Sequence, residues 1–212
     1  MPTRKHIKKH TNKTIDLTKK RTSYSGRCIL VPLNKINHIQ LNQLAMITKD
    51  KEVMKYIGRG NTWSIAEIKQ FMKDETLESK KTIQKRQYYT FVMLYNSEVI
   101  GFIAGRKNKN LLPKDCSPHD LLLRMFISRK HSGKGFGKLI IKLFITHYAR
   151  ILRTSKSSKS SNIKQTGSIK LISDIDKDNI ASIKIHTGNG FIHTDTITYP
   201  NKHIYQRYEF II

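Results

Sequence analysis

The sequence has few acidic residues and few cysteines. Its 212 residues include 15 Asp and Glu against 40 Lys and Arg, which gives a formal net charge of +25. This imbalance favours anionic partners such as phosphates, nucleic acid or anionic lipid. The two cysteines, Cys28 and Cys116, are too few for a disulfide scaffold or a cysteine-rich zinc module, and they suit a reducing compartment.

Long apolar segments are missing as well. The longest candidate, Leu139–Ile145, is interrupted by Lys142 and is well short of the roughly 18 residues of a membrane span. The N-terminus lacks the apolar stretch that a secretory signal needs. We therefore expect a cytoplasmic protein with no membrane partner, or a nuclear one if the basic N-terminal segment serves as an address.

The composition divides the chain into a basic arm and one domain. Residues 1–26 carry eight Lys and Arg but only one acid, and they contain few large apolar residues. Such a segment cannot offset its ordering entropy by burial, so we predict a disordered arm, either a soluble tail or a contact for nucleic acid or ribosomes. Residues 27–212 then form the domain, with a flexible Ser- and Lys-rich insert at 153–168.

Hydrophobic patterning and turn residues predict alternating strands and helices. The clearest feature is a hairpin that joins residues 88–95 to 98–105 through Asn96-Ser97. The predicted order of elements is β-α-α-β-β-β-α-β-α-β-β. This order indicates an α/β or α+β sheet with helices on its faces.

One predicted helix has a clear start. Ser64 and Glu67 form a capping box, which is typical of a helix N-terminus. The charged segment 75–85 is predicted to be a loop. The apolar residues expected to be buried by this helix are Ile65, Ile68, Phe71 and Met72.

The most informative stretch is a glycine-rich turn between a predicted strand at 121–127 and an amphipathic helix. It reads Ser132-Gly133-Lys134-Gly135-Phe136-Gly137. Glycines let backbone N–H groups approach an anion, and a helix N-terminus adds free amides and partial positive charge. The turn therefore predicts a phosphate or pyrophosphate site. Neither the Walker A loop nor the dinucleotide fingerprint fits, because Lys138 occupies a required glycine position and Leu139 a required Ser or Thr position.

The turn resembles the acyl-CoA motif of the GNAT-type N-acetyltransferases, R/Q-x-x-G-x-G/A, with Ser132 at the first position. A second family segment, N-x-x-[AS]-x-x-x-Y-x-x-x-G-F, has His186 at its tyrosine position and is matched at Asn179, Ser182, Gly190 and Phe191. The resemblance covers residues 27–212 except for the insert.

The region before the hairpin resembles one branch of this family. Residues Asp50–Ile57 and Trp63–Ile65 are similar to the enzymes that acetylate the N-termini of ribosomal proteins. Membership implies a single domain, with a mixed, mostly antiparallel twisted sheet of six to seven strands. Helices would cover both faces, and the sheet would splay apart at the acyl-CoA site.

The resemblance implies that acetyl-CoA is the cosubstrate. The strand after residue 124 would offer backbone groups to the pantetheine arm, Asn179 would hydrogen-bond that arm, and the glycine turn would hold the pyrophosphate. The candidate cofactor-binding residues are Met125, Phe126, Ile127, Ser132, Gly133, Lys134, Gly135, Phe136, Gly137, Lys138 and Asn179.

The implied reaction is transfer of the acetyl group to a primary amine by direct attack in a ternary complex. In the family a tyrosine usually protonates the departing thiolate, so His186 is the candidate acid, with packing as the alternative. His119 and Asp120 are candidate bases or else turn residues. No metal is expected, because the His6-x-x-x-His10 pair lacks further ligands.

The acceptor is left open by the sequence. A protein or peptide N-terminus, a lysine and a small-molecule amine are all compatible with the family, although the positive charge disfavours polyamines. The alternative function is a nucleic-acid- or ribosome-associated basic protein with a CoA-binding but inactive fold. Tyr88, Tyr89, Tyr205 and Tyr208 are candidates for lining an acceptor cleft or for packing in the sheet.

Overall fold

The computed structural model describes residues 26–107, 117–156, 168–199 and 202–212. In this part of the chain a seven-stranded sheet has the order β1-β2-β3-β4-β5-β7-β6. Its strands are β1 (Cys28–Pro32), β2 (Tyr88–Tyr95), β3 (Glu98–Arg106), β4 (Leu121–Ile127), β5 (Lys170–Asp176), β6 (Ile192–Thr198) and β7 (Ile204–Ile211).

Helices connect the strands in the predicted order, with one additional short helix. They are α1 (His38–Lys49), α2 (Lys51–Met54), α3 (Ile65–Ser79), α4 (Phe136–Lys156) and α5 (Ile180–Thr187). In the described part of the chain, no helix combines the length and apolar character that crossing a bilayer requires.

The predicted hairpin is confirmed. Asn96 and Ser97 have φ angles of +49° and +70°, the left-handed conformation that two-residue hairpin turns demand. The capping box at α3 is confirmed too, because the Ser64 hydroxyl accepts from the Glu67 amide and the Glu67 carboxylate accepts from the Ser64 amide. Both features are local, which is why sequence alone located them.

Two apolar layers cover the two faces of the sheet. On one face α4 packs Ile140, Phe144 and Tyr148 against the central strands. On the other face α1, α2 and α3 pack residues such as Leu44 and Ile68. The sheet is therefore sandwiched between helices, as the sequence predicts.

The expectation of a loop over 75–85 is wrong for its first part. Helix α3 continues to Ser79, and Glu75 and Glu78 are only 1% and 4% exposed. The Glu75 carboxylate pairs with Arg86, and the Glu78 carboxylate pairs with Lys81. Because these acids are neutralised by residues beyond the helix, their charge does not mark a surface segment.

Other expectations need correction or lie outside the described residues. Ile68 is fully buried, but Ile65 and Phe71 are 39% and 37% exposed. Helix α4 extends to Lys156, so the first residues of the predicted insert are helical. The predicted arm, apart from Gly26, and residues 157–167 of the insert lie outside the described residues, and both segments stay predictions.

Candidate active site

A cleft opens in the middle of the sheet where two parallel strands part. All other neighbouring strands are antiparallel, but β4 and β5 run parallel and pair only at Leu121↔Leu171 and Leu122↔Ile172. Beyond these pairs lies a cavity of about 590 Å³, with β4 on one side, β5 on the other and α5 at one end. The β4 residues Met125, Phe126 and Ile127 all lie beyond the last pair.

The glycine turn lies between β4 and α4. Gly133 and Gly135 have φ angles of +74° and +84°, a conformation that side chains other than glycine rarely adopt. A Cβ added at Gly133 would meet no atom within 4 Å, so there is open space beside this glycine. The amides of Lys138 and Leu139 donate to the Gly135 carbonyl and begin the helical hydrogen bonding. The geometry is that of a backbone cradle at a helix N-terminus, which suits an anion.

Gly137 serves a different purpose from the other two glycines. A Cβ at this position would lie 2.5 Å from Cδ1 of Ile185, so its absence lets α5 pack directly on the first turn of α4. This packing places Asn179, Ser182 and His186 along the cleft. Asn179 caps α5, with its side-chain oxygen accepting from the Ser182 amide at 3.2 Å.

His186 is brought into the cleft, but its surroundings favour the neutral ring, whereas the predicted acid needs the protonated ring. It is 3% exposed, and burial lowers its pKa to about 4. Nδ1 lies 2.8 Å from the Ser182 carbonyl, which fixes the proton on Nδ1, and the ring meets Phe191 edge-on. At pH 7 roughly one molecule in a thousand would carry the imidazolium that proton donation requires. These surroundings favour a packing role for His186 over the role of the acid.

The structure does not bring His119 and Asp120 into the cleft. They lie at the closed end of the β4–β5 pair, and neither lines the cavity. The Asp120 carboxylate accepts from the Lys170 amide at 2.7 Å and the Ser117 amide at 2.8 Å, and the Tyr148 hydroxyl donates to the His119 carbonyl. This placement argues for bracing the strands and against the predicted role of a general base.

Sequence reasoning missed an acidic wall on β5. Asp174 and Asp176 both line the cleft. The Asp174 carboxylate is held by the Arg207 guanidinium at 2.7 Å and by the Tyr199 hydroxyl, and the Asp176 carboxylate lies 2.8 Å from Nε2 of His203. Their i, i+2 spacing places both on one face of a strand, a signal that the sequence contains.

Electrostatics keep Asp176 ionised. Burial raises the pKa of Asp176, but hydrogen bonds from His203 and the Asp178 amide outweigh it, so the pKa lies below its usual range. The cleft thus holds the ionised carboxylate of Asp176, while Asp174 is paired with Arg207 and Arg124 adds positive charge to the same lining. This local charge is what a cationic amine would meet on entering.

Ser173 adds an unsatisfied polar group to the same strand. It follows the last β4–β5 pair, is 2% exposed and lines the cleft. Its hydroxyl is buried and has no hydrogen-bond partner in the described residues. A buried donor without a partner costs free energy unless a ligand satisfies it. Nothing in the sequence marks this serine.

The four candidate tyrosines have different environments. Tyr205 lines the cleft between β4 and β5, and Tyr88 lines a second cavity. Tyr89 and Tyr208 are buried in the core, at 1% and 7% exposure. In the described ranges, no three His, Cys, Asp or Glu side chains gather in a way that would hold a metal ion.

These features are those expected of an α/β enzyme that binds an acyl-CoA between two parting strands, with the pyrophosphate at a helix N-terminus. A family model described as an acetyltransferase (GNAT) domain matches residues 27–192, and the chain belongs to this family. It is therefore an acyltransferase with an acetyltransferase domain of the GNAT family, as the resemblance implied. A search of curated protein sequences finds no match to the chain.

Solved structures share the fold at low identity. Aminoglycoside acetyltransferase AAC(6')-Ib with coenzyme A is 12% identical, covers 87% of this chain and 95% of its own, and has a TM-score of 0.64. RimL, a ribosomal L7/L12 alpha-N-protein acetyltransferase in complex with coenzyme A, is 16% identical, with coverages of 87% and 94% and a TM-score of 0.63. An acetyl transferase from Salmonella typhimurium that modifies the N-terminal serine of L7/L12 is 15% identical, with coverages of 87% and 95% and a TM-score of 0.62.

Proposed function

We propose that this enzyme acetylates the primary amine of a peptide or protein N-terminus, by direct attack on acetyl-CoA in a ternary complex. The observation that carries the proposal is the cleft that opens beyond Leu122, with the glycine turn on the β4 side and carboxylates on the β5 side. Acetyl-CoA would approach from the turn, and the amine would enter along the acidic wall.

The cosubstrate would be held mainly by backbone groups. The turn from Ser132 to Gly137 would give its amides to the pyrophosphate, and the exposed Lys134 and Lys138 would add positive charge. Residues Met125–Ile127 have no β5 partner, so this edge of β4 would accept the pantetheine arm as an added strand. The side-chain amide of Asn179 would complete the contact.

The reaction requires a neutral amine. The ionised Asp176 would attract the ammonium form, and water would carry its proton away before attack. The nitrogen would then form a C–N bond to the thioester carbon as the C–S bond breaks, and the acylated nitrogen would lose its extra proton to water. The Ser173 hydroxyl would hydrogen-bond to the substrate within the cleft. Because His186 is neutral, the departing thiolate would take its proton from water.

A thermal-shift experiment with acetyl-CoA tests the cosubstrate site. Acetyl-CoA should raise the Tm of the native protein, and Gly135→Glu should abolish the rise, because a side chain and negative charge there would block and repel the phosphates. Gly60→Glu is the matched control, since Gly60 also has a positive φ of +80° but lies outside the turn. Stabilisation by acetyl-CoA should survive this control substitution.

A turnover screen tests the reaction itself. N-terminal peptides, lysine-containing peptides with blocked N-termini, and aminoglycosides would be incubated with acetyl-CoA, and release of the CoA thiol would be measured. Turnover of free N-terminal peptides supports the proposal. Stabilisation by acetyl-CoA without turnover of any amine would favour the inactive, CoA-binding alternative, and no stabilisation would refute the proposed site.

A further inference from the structure

A second cavity lies on the face of the sheet that α1, α2 and α3 cover. Its volume is about 250 Å³, below the range of roughly 300–1,000 Å³ that is typical of pockets for drug-sized ligands. It shares wall residues with the larger cleft, among them Leu122, Arg124 and Met125. The two cavities therefore adjoin at β4.

Five of the thirteen residues that line the smaller cavity are aromatic. The Trp63 ring meets Phe71, Phe102 and Phe126 edge-on, with centroid separations of 5.1, 5.2 and 5.7 Å. Phe102 and Phe126 stack across neighbouring strands with an interplanar angle of 8°. These contacts fix the rings against one another, so the cavity is built before a ligand arrives. Its size and walls suit one large apolar side chain.

Positive charge lies at the junction of the two cavities. Arg124 is exposed and lines both of them. In the part of the chain that the structure describes, its guanidinium makes no hydrogen bond and no ion pair. Arg106, also on the wall of the smaller cavity, lies over the Tyr88 ring at 5.7 Å. A carboxylate on the ligand would find a guanidinium here that can bind it in a bidentate manner.

The smaller cavity also has one acidic wall residue, Asp74. Its carboxylate already accepts a hydrogen bond from the Gln70 side chain at 2.8 Å, along α3. The two arginines therefore give the wall a net positive character. This charge favours an acceptor with a carboxylate over one with a second cation.

We propose that the smaller cavity selects the acceptor, which is a peptide N-terminus with a large apolar first residue followed by an acidic residue. This inference rests on the proposed function and specifies its substrate. The first side chain occupies the aromatic cavity, the α-amine projects past Met125 into the cleft, and the second side chain reaches Arg124. The adjoining cavities bring these three contacts together.

The test compares three peptides of equal length, which begin Phe-Asp, Ala-Asp and Phe-Asn and are otherwise identical. We expect kcat/KM for Phe-Asp to exceed that for Ala-Asp by at least about tenfold, as expected when a hydrophobic pocket discriminates by size. We expect Phe-Asp to exceed Phe-Asn by at least about fivefold, because the Arg124 contact is charge-assisted.

Two variants separate the contacts. Phe71→Ala should lower the Phe-Asp over Ala-Asp ratio by about two- to tenfold while keeping the Asp over Asn ratio, because one aromatic wall is lost. Arg124→Gln should lower the Phe-Asp over Phe-Asn ratio while keeping the Phe-Asp over Ala-Asp ratio. The matched controls are Leu77→Ala, which removes another exposed apolar side chain of α3, and Arg153→Gln, which removes an exposed arginine from α4. Both controls should keep both ratios.

The outcomes are distinct from failure of the proposed function. Equal rates for all three peptides would overturn the selectivity proposal while leaving N-terminal acetylation intact. Turnover of small amines without turnover of any peptide would instead refute the proposed function, and the selectivity proposal with it. Unchanged ratios in Phe71→Ala and Arg124→Gln would show that the smaller cavity does not discriminate between acceptor peptides. Loss of stabilisation by acetyl-CoA would instead concern the glycine turn, and the thermal-shift experiment measures it separately.

Discussion

Burial decides what His186 can contribute to this enzyme. The imidazole is enclosed by α5 and Phe191, and its Nδ1 proton is donated to the Ser182 carbonyl. These surroundings favour the neutral ring, and the pKa falls to about 4 as a result of desolvation. A histidine at the tyrosine position of the family segment is therefore a different chemical group from the acid that it replaces.

We predict that His186→Phe has a small effect on kcat near pH 7.5, within about threefold, and leaves acetyl-CoA affinity nearly intact. The measurement is the pH profile of kcat together with the KM for acetyl-CoA. If the imidazolium protonated the thiolate, the substitution would instead lower kcat by about a hundredfold or more and remove a limb of the profile.

The same residue should contribute to acid sensitivity. The folded-state pKa of about 4 lies below the usual 6.5, so the unfolded chain binds the extra proton between these values. The stability contribution of neutral His186 is therefore fully present above pH 6.5 and is lost as the pH falls towards 4. In denaturant titrations, His186→Phe should reduce the slope of unfolding free energy against pH in this window, and an unchanged slope would contradict the burial.

Sequence alone identified the residues of the turn but not the state of His186. Gly133 and Gly135 are recognisable because glycine is needed wherever φ is positive. The pKa of His186 depends on packing between α4 and α5 and on Phe191, which no local pattern reveals. The unpartnered hydroxyl of Ser173 was likewise invisible until β5 was paired.

At the scale of elements, the end of α3 holds a buried acid. Glu75 is 1% exposed, and its carboxylate pairs with the Arg86 guanidinium. Burial raises the pKa of Glu75 to about 7, despite the lowering effects of Arg86 and Thr90. This carboxyl group is therefore partly protonated at neutral pH.

We predict that this acid makes the fold less stable as the pH rises from about 4.5 to 7. The folded state holds the proton in this window while the unfolded chain releases it, so the free energy of unfolding falls with increasing pH. Glu75→Gln should remove this part of the slope, measured by denaturant unfolding at several pH values. Glu52→Gln, at an exposed position on α2, should retain the native slope, and equal slopes in all three proteins would refute the prediction.

The end of α3 is a place where the sequence pattern predicts the wrong structure. A run of charged residues usually indicates a solvated loop, but here the partners Arg86 and Lys81 lie beyond the helix and neutralise the acids. Strands β2 and β3 were predictable because their turn and their alternation are local. The helix end was not, because its stability depends on contacts formed after the chain folds back.

At the scale of the whole molecule, charge is distributed unevenly. The protein has a net charge of +25, but the cleft is lined by Asp174 and Asp176. The positive envelope would attract anionic CoA over about 8–10 Å in physiological salt, and the local acids act inside the cleft. Composition predicted the positive envelope, and the i, i+2 spacing placed Asp174 and Asp176 on one face of a strand. Their partners Arg207, Tyr199 and His203 could not be predicted, because they come from distant parts of the chain.

We predict that the basic residues 1–26 act on polyanions and not on the cosubstrate. Deleting them should weaken binding to nucleic acid and reduce the dependence of log K on log salt by several units, since the segment carries eight Lys and Arg. Stabilisation by acetyl-CoA should be retained. Binding of a labelled oligonucleotide at several salt concentrations measures the effect, and an unchanged slope would exclude the segment as the contact.

The short seam between β4 and β5, which consists of two residue pairs, divides the sheet into two halves, β1-β2-β3-β4 and β5-β7-β6. One half carries the glycine turn at the end of β4, and the other carries Asp174 and Asp176 on β5. The Asp120 carboxylate fastens the seam through the Lys170 amide, and Ile185 rests on Gly137 from the opposite side. Because the proposed cosubstrate and amine sites lie on different halves, we expect the distance between thioester and amine to depend on Asp120, a residue outside the cleft.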